Sequence, residues 1–185
     1  IYEMIYYNDN GRFMNKSRIR IIHNYLSARF NIPLIAAEQI IDLAYADDYG
    51  SSVTYNRNVA GIGILNPQDL HGIAKGPAEL KVKGSNLNGT NKFLMWGHNG
   101  VPINETWPYS YWNASLPGDV RERSGRVWRF SSNVASIDSL QMEMNYSISN
   151  NSDTITSYFR NRLRLLVSTD PDDWSMAAVH MPSAT

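Results

Sequence analysis

Only one stretch of this chain repeats with a helical period. From Asn15 to Pro33 it reads NKSRIRIIHNYLSARFNIP, and Ile19, Ile22, Leu26 and Phe30 step by three and four. That spacing stacks them into one apolar stripe on an α-helix, widened by Ile21, Tyr25 and Ala28. Asn15 is a suitable N-cap, since its side-chain oxygen can accept from a free amide of the first turn. The reciprocal capping box is absent, because position 18 is arginine. Asn31 suits the left-handed position after the last turn, and Pro33 forbids continuation. The sequence therefore predicts one amphipathic helix over about residues 16–30, laid by its stripe over a sheet edge or between two sheets.

The remaining apolar residues alternate. Leu140, Met142, Met144, Tyr146 and Ile148 interleave with polar residues without a fault, which only a strand with one wet face requires. Leu80 and Val82 alternate with Glu79, Lys81 and Lys83, and Leu163, Leu165 and Val167 with Arg162, Arg164 and Ser168 except at Leu166. Lys92 to Trp96 and Arg126 to Phe130 are shorter apolar strands. Val59 to Leu65 contains Gly61 and Gly63, which point to a bulge or a close backbone approach. Turn pairs such as Asn66-Pro67, Gly76-Pro77, Asn88-Gly89 and Asp170-Pro171 punctuate these runs. The expected class is mainly β, an antiparallel sandwich or jelly-roll-like module with one helix near its start.

Composition narrows the function. With 17 basic and 17 acidic residues the formal net charge is zero, so the chain as a whole has no footprint for nucleic acid or anionic lipid. No apolar run approaches the roughly 18 residues of a membrane span. There is no cysteine, which excludes disulfides, thiolate zinc sites and cysteine nucleophiles. Tyrosine numbers 11 and charged residues make up 18%, a profile that tilts towards a secreted β-protein.

Several ordered blocks carry a family resemblance. Tyr2 to Asn8 (YEMIYYN) and the helix ending Tyr25 to Ile32 (YLSARFNI) resemble the seam after a laminin-G-like jelly roll in large surface proteins of the Bacteroidota. Asn56 to Gly63 (NRNVAGIG), Phe93 to Gly100 (FLMWGHNG), Arg123 to Phe130 (RSGRVWRF) and Leu165 to Ser175 (LLVSTDPDDWS) resemble, in order, the β-rich module that follows it. Departures are Val59 for isoleucine, Phe130 for valine, Ser168 for an aspartate and Trp174 for phenylalanine. The stretch between Gly100 and Arg123 is longer than usual. The resemblance implies that residues 1–33 close a preceding jelly roll and residues 34–185 form a sandwich module cut short at its end. It also implies export by the type IX route, a cell-surface location, and a structural or adhesive role.

The chemistry-bearing residues give little support to catalysis. Four histidines, His23, His71, His98 and His180, lie far apart, and no HExxH, GxSxG or P-loop pattern occurs. The expectation is a non-enzyme without a cofactor. Asp170, Asp172 and Asp173 could contribute oxygens to calcium, but they equally make an Asx-capped turn around Pro171. The turn reading outweighs the calcium one, because three carboxylates are a minimal set and the glycine that doubles back an EF-hand loop is missing. Four aromatics crowd into six residues at Trp107, Tyr109, Tyr111 and Trp112. Such rings anchor protein interfaces, stack on sugars, or cover an open sheet edge.

Two roles follow. The first is a structural and adhesive module contacting neighbouring domains or copies of itself. The second is a lectin-like carbohydrate-binding module that uses the aromatic cluster on surface glycans. The resemblance also implies O-glycosylation at Ser139 or Thr154, each in an Asp-Ser/Thr-aliphatic triplet. The Asn-x-Ser/Thr triplets at Asn15, Asn88, Asn104, Asn113, Asn145 and Asn150 would matter only in a eukaryotic secretory pathway.

Overall fold

The computed structural model describes residues 14–30, 32–35, 55–76, 80–84, 87–103, 106–108, 122–135, 137, 139–144, 164–169 and 177–180. Among them one helix, α1 (Lys16–Phe30), precedes eleven strands: β1 (Arg57–Ile64), β2 (Leu70–His71), β3 (Ile73–Lys75), β4 (Leu80–Gly84), β5 (Lys92–His98), β6 (Thr106–Pro108), β7 (Glu122–Ser124), β8 (Trp128–Ser132), β9 (Leu140–Met144), β10 (Leu165–Val167) and β11 (Ala178–His180). Every strand pairing is antiparallel. The protein is mainly β with a sandwich-like organisation, as its alternation predicts. It divides into two units, residues 1–100 with 128–145 and residues 101–127 with 146–185.

The first unit holds two sheets, ordered β2-β1-β5-β8 and β3-β4-β9. In the larger sheet, β1 and β5 have both faces covered. Ile62, Ile64, Leu94 and Trp96 pack against Leu80, Val82 and Leu87, closing the sandwich. Val59, Phe93 and Met95, on the opposite face, pack against Ile21 and Ala28 of α1. Two covered faces explain why Phe93 to Trp96 is an unbroken apolar run, since neither side of the strand meets water. The smaller sheet keeps one wet face and reads as alternation.

Gly61 and Gly63 set how the helix meets the sheet. They stand directly opposite Met95 and Phe93 in the ladder. A methyl carbon on Gly63 would lie 2.1 Å from Phe93 Cδ1, and one on Gly61 2.3 Å from Met95 Sδ. The bare strand is thus a floor on which these two side chains lie flat. Arg20 of α1 closes the stack, its guanidinium carbon 5.2 Å from the Phe93 ring centroid. Of the two readings the glycines allow, it is the close approach that they serve: pairing from Ala60 to Ile64 is regular, and the register shift of this ladder lies before them, between Arg57 and Ala60.

The helix turns a different face inward than its apolar stripe predicts. Ser17, Ile21, Asn24, Ser27 and Ala28 are buried, whereas Phe30 is exposed and Ile19, Ile22 and Leu26 are half-buried. Each buried polar side chain has a backbone partner, which removes the cost of burying it. Ser17 Oγ accepts from Leu65 N at 2.8 Å and donates to Asp69 O. Asn24 Nδ2 donates to Arg20 O, and Ser27 Oγ to Ile32 O. Of the buried helix residues, Ile21 and the small Ala28 meet Phe93 and Met95.

The two sheets join at Gly72, where the chain leaves β2 in one sheet and enters β3 in the other. Gly72 O accepts from Gly84 N at 3.0 Å, tying the corner to β4. In the second unit, β6 pairs with β7 and β10 with β11. Ala177 is buried there against Val127 and Leu166.

If Gly63 is the floor for Phe93, Gly63→Ala should destabilise the protein by about 1–3 kcal/mol through overpacking. In that background Phe93→Leu should cost less than it does alone, because the ring being removed is the one that clashes. Denaturant titration of the four members of this cycle gives the coupling; additive effects would contradict the packing.

Candidate functional site

Three of the sequence blocks become adjacent strands β1, β5 and β8 of one sheet, and their ends converge on His98. Arg57 stands opposite His98 in one ladder and Trp128 in the other. Here the backbone is distorted: Asn58, within the bulge, has φ 49°, and Gly100 has φ 84°. Left-handed non-glycine residues are uncommon and cluster where geometry is imposed by surroundings. His98 is 3% exposed, with the Trp128 ring edge-on at 6.3 Å.

The hydrogen bonds assign the imidazole. Gly100 N–H donates to His98 Nδ1 at 3.0 Å, so Nδ1 carries no proton. A neutral ring must then hold its proton on Nε2, which lies 3.0 Å from the Asn58 side-chain amide. Asn58 Nδ2 stands at this contact, and because Nε2–H is itself a donor, pairing with it assigns the amide the flipped orientation with its oxygen towards the ring. Both nitrogens are thereby engaged: His98 pins the turn at Asn99-Gly100 to the bulge. This arrangement leaves neither nitrogen a lone pair for a metal or for proton abstraction. The sequence signal for it is the pairing of Asn58 with a histidine just before Asn99-Gly100, legible only once the two blocks are known to be neighbours.

Of the other singled-out residues, only some fall among the described ones. Trp107 lies in β6, paired with Arg123 of β7, so its backbone belongs to a ladder rather than a loop. Tyr109, Tyr111, Trp112, Asp170, Asp172, Asp173 and Thr154 lie outside the described residues. Ser139 is exposed and immediately precedes β9. Trp96 is 1% exposed at the centre of the core, stacked on Phe130 at 6.1 Å between centroids. Trp128 packs half-buried at the margin of the same cluster. Among the described residues no three His, Cys, Asp or Glu side chains gather as a metal site, and no helix is long and apolar enough to cross a membrane.

The side of the sandwich opposite the Gly72 corner is built differently. There β8 and β9 are the outer strands of their sheets among the described residues. Phe130, Met142 and Met144 lie on the inter-sheet faces of these strands, paired with Trp96, Val82 and Leu80. They are nevertheless 37%, 42% and 40% exposed. Apolar side chains are thus presented along one edge.

The helix N-terminus makes a second polar centre. Asn15 Oδ1 accepts from Arg18 N, and Asp69 Oδ1, from the β1–β2 turn, accepts from Lys16 N. Asp69 supplies the negative charge that the helix's own first turn lacks. His71 lies close by, and burial, aided by the charge of Arg18, holds its pKa below the ordinary 6.5. The unfolded chain therefore takes up this proton before the folded one. Its contribution to stability is complete above about pH 6.5 and is lost as pH falls from there through the folded value. Replacing His71 by asparagine should flatten that part of the stability curve, measured by denaturant unfolding between neutral and mildly acid pH. An unchanged acid limb in the variant would show that His71 does not carry the effect.

Comparison with known proteins gives no counterpart: no family model matches the sequence, no curated protein is significantly similar to it, and no solved structure matches its fold.

Proposed function

We propose that this chain is a non-catalytic structural and adhesive module of a larger extracellular surface protein, working through contacts with neighbouring domains or other copies of the chain. The observation that carries this reading is the half-exposed apolar line of Phe130, Met142 and Met144 on two strands that are outermost in their sheets among the described residues. Edge strands of free-standing sandwiches are usually blunted by charge, proline or a covering segment. Apolar side chains at an edge suit an interface instead. The engagement of His98, the best-placed buried imidazole, in two structural hydrogen bonds is in keeping with a module that holds shape. The extracellular place rests on the family resemblance and on composition, and the type IX export route on the resemblance alone.

A second reading, a lectin-like carbohydrate-binding module, is supported by the clustering of Trp107, Tyr109, Tyr111 and Trp112 in sequence. Flat aromatic rings with little rotamer entropy suit sugar faces as well as protein surfaces.

Methionine oxidation separates bound from free surface, because a shielded thioether reacts slowly. In the protein assembled by its own cell, Met142 and Met144 should oxidise at least about threefold more slowly than in the isolated 185-residue chain. Equal rates in both would remove the interface. Glycan binding lost on replacing Trp107 and Tyr109 by alanine would favour the lectin reading.

A further inference from the structure

The outward face of the three-stranded sheet carries a charge pattern that the fold does not need. Leu80 and Val82 of β4 are buried, so Lys81 and Lys83 between them face away from the core. The register sets Lys75 of β3 opposite Lys81, Ile73 opposite Lys83, Glu143 of β9 opposite Lys81, and Gln141 opposite Lys83. Lys75, Lys83 and Ile73 are exposed. Three ammonium groups therefore share a flat face with Glu143, the one acidic side chain among its described residues. By strand geometry Lys75 and Lys81 sit about 5 Å apart at the backbone, and Lys81 and Lys83 about 7 Å.

Within the fold this is a poor arrangement. Like charges directly opposite on neighbouring strands oppose pairing. Glu143 neutralises part of it, its Oε2 accepting from Lys81 Nζ at 2.7 Å. That hydrogen bond, with the charges of Lys81 and Lys75, holds the Glu143 carboxyl below its ordinary range. Two ammonium groups remain in excess on a surface whose overall protein is neutral. An external anion would complete the pattern.

We propose that this face docks an acidic polysaccharide, an extended chain of sugar units bearing carboxylate or sulfate groups, laid across β3 and β4. The exposed Ile73 offers an apolar surface to sugar C–H groups, and Gln141 and Glu143 can bond to hydroxyls. A nucleic acid fits less well. Glu143 would stand against a densely charged phosphate backbone, the chain as a whole lacks basic excess, and no aromatic side chain among the face's described residues could stack a base. The lysine face and the apolar edge are separate surfaces, so this proposal and the structural role stand or fall independently.

The test is calorimetric titration of the 185-residue chain at low salt with two probes, a heparin oligosaccharide and an oligogalacturonate, beside a single-stranded DNA oligonucleotide of equal charge. At least one oligosaccharide should bind, more tightly than the DNA, with affinity that falls steeply as salt is raised. The double variant K75Q/K83Q keeps the Lys81–Glu143 pair and should retain the wild-type unfolding midpoint. It should lose about tenfold in affinity and show a shallower salt dependence. Absence of binding by both oligosaccharides, unchanged affinity in a folded K75Q/K83Q, or tighter binding of the DNA would each overturn the proposal.

Discussion

The seating of Phe93 and Met95 on Gly63 and Gly61 is the contact on which the first unit depends. Two bulky side chains from β5 lie over a neighbouring strand that has no side chains of its own at those positions. This lets a strand that is apolar on both faces be covered on each side by a different element. The helix covers the Phe93 face with Ile21, Ala28 and Arg20, and the second sheet covers the Trp96 face. Had β1 carried side chains at 61 and 63, the ring of Phe93 would be driven outward and α1 with it. The layer of sheet between helix and sheet follows from that one complementarity of bare and bulky strands.

A second set of contacts orients the helix rather than merely holding it. Its N-terminus is bound by the β1–β2 turn at several points. Ser17 meets Leu65 and Asp69, Asn15 Nδ2 donates to Leu70 O at 3.2 Å, and Asp69 caps Lys16. Hydrogen bonds are directional, whereas apolar contact is not. A helix seated by apolar burial alone could rotate to bury Ile22 and Leu26 more fully. The serine and asparagine contacts fix instead the rotation that brings Ile21 and Ala28 to the sheet. Buried polar groups satisfied in this way give one geometry where burial would tolerate several.

Among the described residues, two that are capable of chemistry are occupied with such tasks. His98 joins the Asn58 bulge to the Asn99-Gly100 turn, and Asp69 serves a helix end. What the described surface offers is recognition: an apolar edge along β8 and β9, and a lysine-bearing face on β3 and β4. One suits a flat protein neighbour and the other an acidic polymer. The two surfaces are those on which the proposed structural role and the proposed polysaccharide docking rest.

Much of the architecture was legible in the sequence because its signals are local. The N-cap at Asn15, the helix bounds, the alternation of β4 and β9 and the warning in Gly61 and Gly63 all depend on spacing along the chain, which short-range sterics and one-sided burial enforce. Strands that are brief or lack alternation, such as β2, β3 and β11, carried no such signal. The inward face of α1 was misjudged because hydrophobicity ranks Ile22 above Ser17, while the actual choice rests on Leu65 and Asp69, roughly fifty residues away. The same holds for His98: its partners, Asn58 and Trp128, come from two other strands. The sequence alone determined the helix and the longer strands, and which of their residues prefer to be dry. Which faces meet, which polar groups are buried, and which charges are left side by side on a surface were decided by tertiary pairing, because those energies depend on neighbours that only the folded chain supplies.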